Sequence, residues 1–142
     1  MRPTAPALAL IGCWAVAGCA GDGDARAPSG TDLSGRTFVS TEDWSGSGSS
    51  FSTPVTVTFE AGGGLTWKAD CNTAGADVEV TADRLLVGQI AATEIGCPGR
   101  PAKQDRDLGA FFASDPTWGL DGDRLTLSGG GVEAVLQATS GE

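Results

Sequence analysis

Short apolar–polar alternations separated by glycine turns constrain the fold of this chain more than any other feature. In Val55-Thr56-Val57-Thr58-Phe59, the residues Val55, Val57 and Phe59 share one side, and Thr56 and Thr58 the other. A strand sends successive side chains to opposite faces, so this run predicts a half-buried strand. Gly62-Gly63-Gly64 predicts a turn into a second one, Leu65-Thr66-Trp67-Lys68-Ala69. Similar runs occupy residues 36–41, 76–80, 85–88, 118–120, 124–127 and 132–137, and residues 90–95 extend the sheet. Asp121-Gly122 marks a hairpin between two of them. One segment departs from this period. Residues 101–114 place Leu108, Phe111 and Phe112 at helical spacing and stop before Asp115-Pro116, which predicts one short amphipathic helix. About eight short strands and one helix predict a mainly β fold, an antiparallel meander curled into a lipocalin-like barrel. Closing the barrel removes sheet edges that would otherwise pair with other chains.

The N-terminus is of a different kind. An apolar run from Ala5 to Val16 follows Arg2 and ends in Val16-Ala17-Gly18-Cys19, which has the form of a bacterial lipoprotein cleavage and lipidation signal. The run is far shorter than the roughly 20 apolar residues of a spanning helix. Leu10-Ile11-Gly12-Cys13 has a similar form, but cutting there leaves a very short apolar segment. An ordinary signal peptide cut near Ala20 is the competing reading. The expected organisation is a signal peptide over residues 1–18, a flexible tether over 19–32, and one domain over 33–142. Lipid on Cys19 places the protein at the cell membrane, on its extracytoplasmic side. The chain carries a net charge of −9, and removing Arg2 takes it to −10. Anionic lipid and nucleic acid both repel such a domain, so the anchor has to be the lipid and no nucleic-acid partner is expected.

With Cys13 removed and Cys19 lipidated, Cys71 and Cys97 remain, and an oxidising compartment makes them an expected disulfide. The sharper alternative is a nucleophilic or metal-binding thiolate. The chain contains no His to activate a thiol or complete a Cys/His zinc site, and no Tyr. Lys68 and Lys103 lie in no Ser-x-x-Lys motif. Asp121 and Asp123 lack calcium-loop spacing, and the glycine runs at 62–64 and 129–131 lack the Lys-Ser/Thr of a phosphate loop. No catalytic residue, metal or cofactor is expected. Candidate binding residues are Trp44, Asn72 and Thr93. Trp44 and Phe51 flank the polar Ser-Gly run of the 42–54 loop, where they either contact a ligand at the barrel mouth or pin the loop to the body. Asn72 and Thr93 either line a pocket or bond the local backbone.

In order and spacing these elements resemble the META domain family, also called HslJ-like. The resemblance runs through Leu33-Ser34-Gly35-Arg36-Thr37-Phe38, with Phe38 in place of a Trp, then the strand ending at Phe59. It continues through Asp70-Cys71-Asn72, where the family has Gly-Cys-Asn, and Thr93-Glu94-Ile95-Gly96-Cys97, with Ile95 in a usual Met position. The helix of residues 101–114 and the closing 121–127 segment complete it. Phe38, Asp70 and Ala74 mark a divergent member. The resemblance implies a barrel-like β fold, extracytoplasmic placement, no established catalytic activity, and a loose link to stress tolerance. The expected function is therefore that of a non-enzymatic envelope lipoprotein with a possible envelope protein partner. The alternatives are a small-ligand module with a barrel cavity and an inhibitor of an extracytoplasmic enzyme.

Overall fold

The alternation read from the sequence becomes the inner wall of a barrel. The computed structural model of the chain describes residues 29–41, 44 and 54–140. The signal segment, Cys19, residues 20–28 of the tether, and Phe51 with the Ser-Gly run lie outside the described residues. After a short 3-10 turn at Gly30–Asp32 come β1 (Thr37–Ser40), β2 (Thr56–Phe59), β3 (Gly64–Lys68), β4 (Thr73–Val80), β5 (Leu85–Val87) and β6 (Ala91–Ala92). The helix α1 (Arg100–Ala113) follows, and β7 (Thr117–Asp121), β8 (Arg124–Gly129) and β9 (Val132–Ala138) complete the domain.

All pairings are antiparallel, in the order β5-β4-β3-β2-β1-β9-β8-β7, with β6 also on β4. The mainly β barrel with one helix is borne out among the described residues, where the nine strands include the two-residue β6 as a separate element. β1 pairs with both β2 and β9, which joins the start of the domain to its end. The far seam closes by an Arg84–Thr117 bridge, with Leu85 N–H donating to Pro116 O at 2.9 Å and Trp118 N–H to Asp83 O at 3.0 Å. Asp115, in a left-handed conformation with φ of 52°, accepts from Val87 N–H through Oδ1 at 2.8 Å.

Register explains why one face of each strand is apolar. Val57 stands opposite Trp67 and Phe59 opposite Leu65, and all four are buried. Leu125 faces Leu136 and Leu127 faces Ala134, again buried. Phe38, Leu85 and Trp118 complete the inner wall. Such cross-strand pairs are the unit of sheet stabilisation. The helix adds a stripe of Gln104, Leu108, Phe111 and Phe112 to the same core.

Several element bounds shift from the sequence reading, residues 90–95 contracting to the two-residue β6, and two of the shifts have a clear physical cause. β4 begins at Thr73 rather than at residue 76, because Ala74 and Gly75 are too small to show an apolar period. Gly75 is small for a reason: a Cβ there would stand 2.8 Å from Leu65 O, so the close β3–β4 approach excludes one. The β7–β8 turn centres on Gly122-Asp123, since Asp121 pairs with Arg124. Gly122, with φ of 60°, thus takes the first central position, where a hairpin of this kind needs glycine.

Candidate functional site

The disulfide, Asn72 and Thr93 come together at one place, where the β3–β4 connection meets the segment leading into α1. Cys71 and Cys97 are bonded, with Cα atoms 6.3 Å apart. Asn72 is the hub beside them. Its Oδ1 accepts from Thr93 Oγ1 at 2.8 Å and from Ile95 N–H at 2.8 Å. Its Nδ2 donates to Ile95 O at 3.3 Å and to Asp105 Oδ2 of α1 at 2.9 Å. A side-chain amide has two donor hydrogens and two acceptor lone pairs, and all four are engaged here. Thr93 also accepts from Thr73 N–H through Oγ1 at 3.1 Å, while its own N–H donates to Thr73 O at 3.0 Å.

The arrangement has a simple physical reading. By bonding both the N–H and the C=O of Ile95, the Asn72 amide imitates one more residue of strand β4. It prolongs the β4–β6 ladder past the point where the backbone diverges at Cys71. Asp105 ties that ladder to the helix, a link that the sequence did not signal because a single carboxylate on a helix surface is ordinary. Asn72→Asp is expected to destabilise the domain by about 1–3 kcal/mol, because it removes the donor and sets a carboxylate against Asp105. Urea unfolding at neutral pH measures this, and an unchanged midpoint would contradict the clamp role.

Trp44 belongs to a different cluster. It is buried, with its ring edge-on to Phe111 at 4.8 Å and to Phe112 at 6.3 Å. Phe112 in turn stacks on Trp67 at 4.2 Å. This aromatic group fixes α1 to the barrel.

Two depressions lie on other parts of the barrel surface. A cleft of about 170 Å³, lined by Leu33, Phe59, Val78 and Val80 among others, lies between the Gly30–Asp32 turn and the β2–β3 hairpin. A larger, open depression of about 460 Å³ surrounds the Arg36–Asp123 ion pair, whose atoms are 2.7 Å apart. Among the described residues, no three His, Cys, Asp or Glu side chains gather in a metal-binding arrangement. No helix among the described residues is long and apolar enough to cross a membrane.

Fold and site together define a disulfide-clasped β barrel with the helix α1 packed on its core. The META domain family matches residues 31–141, and the chain belongs to that family. An NMR structure of a protein from Burkholderia xenovorans superposes with a TM-score of 0.62 at 12% identity, covering 99% of this chain and 100% of that one. A second NMR structure gives 0.60 at 15% identity, over 75% of this chain and 92% of that one. At such identities the likeness is one of fold. No curated protein matches the sequence.

Proposed function

We propose that this META-domain protein is a lipid-anchored, non-catalytic component of the bacterial cell envelope. In this reading Cys19 carries the lipid, the domain stands on the extracytoplasmic side, and it contributes to envelope stress tolerance through contact with another envelope protein. The observation that carries the reading is the Cys71–Cys97 disulfide, a bond typical of oxidising compartments and rare in reducing ones. It agrees with the Val16–Cys19 signal, which directs the chain to such a compartment and supplies the anchor.

The packing favours a surface role over a ligand-filled lumen. Phe38, Val57, Leu65, Leu125, Leu127 and Leu136 are all fully buried, so side chains fill the barrel as they do in other small barrels. Contact with a partner would then use the outer face.

Fractionation of cells making the wild-type chain or Cys19→Ala tests the anchor. Two or more acyl chains hold a protein stably, at about 0.8 kcal/mol per buried methylene. The wild-type chain is expected in the membrane fraction with incorporated fatty acid, and Cys19→Ala in the unlabelled, unanchored state. Wild-type protein recovered without lipid would refute the anchor. Cross-linking in intact envelopes tests the partner.

A further inference from the structure

The seam of the barrel is closed along β5 and open along β6. On β5, Leu85 and Val87 donate to Pro116 O and Asp115 Oδ1. Among the described residues β6 pairs with β4 alone, through Ala74–Ala92 and Gly75–Ala91. Thr93 N–H turns inward to Thr73 O, and Ile95 N–H inward to the Asn72 amide. Strand alternation therefore turns the backbone groups of Ala92 and Glu94 outward. Every residue from Ala91 to Gly96 is exposed. Of the two exposed large hydrophobics among the described residues, Leu86, at 39%, lies on β5, and Ile95, at 60%, continues the β6 edge.

Soluble domains blunt such edges with Pro, Lys, bulges or a covering element. Residues 89–96 contain no Pro, Lys or Arg. The edge is also held ready for pairing. The Asn72 clamp and the Cys71–Cys97 bond fix the backbone of residues 93–97, so a partner strand meets an ordered template and little ordering entropy is lost. Charge selects the partner. Residues 73–80 and 85–96 carry exposed Asp77, Glu79 and Glu94 and no Lys or Arg. A second copy would bring Glu94 against a like-charged edge, which disfavours self-pairing.

We propose that the open edge of β6, continued through Glu94 and Ile95, takes an extended, basic peptide segment of a partner protein as an added strand. Main-chain bonds to Ala92 and Glu94 supply the affinity, while Ile95 and Glu94 select apolar and cationic side chains. This proposal rests on the reading that the protein acts through contact with another protein.

The test uses the isotope-labelled full chain and the peptide Lys-Val-Thr-Val-Lys-Val, with amide hydrogen exchange read by NMR. Peptide binding is expected to slow exchange of the Ala92 and Glu94 amides by about tenfold or more. The same peptide N-methylated on alternate residues should give no protection. Ala92→Pro removes the outward N–H and none of the inward ones, and should weaken peptide binding about tenfold while leaving the near-ultraviolet spectrum unchanged. Glu94→Lys keeps the backbone and should shift preference to Glu-Val-Thr-Val-Glu-Val. Unchanged exchange at saturating peptide, or equal protection by the N-methylated form, overturns the proposal. So does protection that rises with protein concentration in the absence of peptide, which would identify a second copy as the occupant. Peptide protection without any cross-linked envelope protein supports the edge and removes the functional reading. A cross-linked partner without peptide protection leaves that reading intact and overturns the edge.

Discussion

Replacing Cys71 and Cys97 together by serine should lower the stability of the domain by about 3.5 kcal/mol, the chain-entropy value for a loop of the 26-residue separation between them. For a domain of this size that corresponds to a fall in melting temperature of roughly 15–25 °C. The oxidised wild-type chain, the reduced wild-type chain and the double variant measured side by side decide the matter. The last two should agree, since both lack only the cross-link. A variant melting within roughly 3 °C of the oxidised protein would show that native packing already confines residues 71–97. The loss should also be uneven. β6 has only two paired residues, so the segment from Ala91 to Cys97 depends on the disulfide and on Asn72 for its position. Exchange at Thr93 and Ile95 should accelerate before that of the β8–β9 ladder, which has six register pairs.

The same contrast explains what was legible in the sequence. β2, β3 and β8 alternate cleanly because one face meets the core and the other meets water, so period two is imposed on every residue. β4 was only half visible. Its last residues alternate, but Thr73, Ala74 and Gly75 are chosen for close backbone approach, and a missing side chain leaves no period to read. Leu108, Phe111 and Phe112 mark the helix in the sequence, yet Gln104 occupies the same stripe, 1% exposed, where its polarity masks it. At the site, the proximity of Asn72 to Thr93 followed from the two cysteines beside them. Asp105 and Asp115 did not announce themselves. Each is one acidic residue among 18, and only the closed barrel makes one a tie to Asn72 and the other a latch on Val87. Local periodicity reports burial. It does not report which distant polar groups the fold will bring into register.

Phe112→Ala should be the most damaging single substitution in the helix, at about 3–5 kcal/mol. Phe112 is fully buried and stands where three other aromatic residues converge. It stacks on Trp67 at 4.2 Å with the planes 26° apart, and meets Phe111 and Trp44 edge-on at 5.2 and 6.3 Å. Aromatic pairs of this kind add about 0.5–1.5 kcal/mol to the burial itself, and the rigid barrel wall behind Trp67 limits collapse of the cavity. Helix propensity predicts the opposite sign, because alanine is the better helix former. Exposed Ala110 serves as the control: Ala110→Gly should cost about 1 kcal/mol through propensity alone. Urea unfolding of both variants separates the two contributions, and Trp fluorescence reports where packing is lost. A red shift from Trp44 and Trp67 in native Phe112→Ala would show the helix loosened from the barrel. A loss no larger than that of Ala110→Gly would mean that α1 is held by its polar ties, such as Asp105 to Asn72, and not by its aromatic stripe.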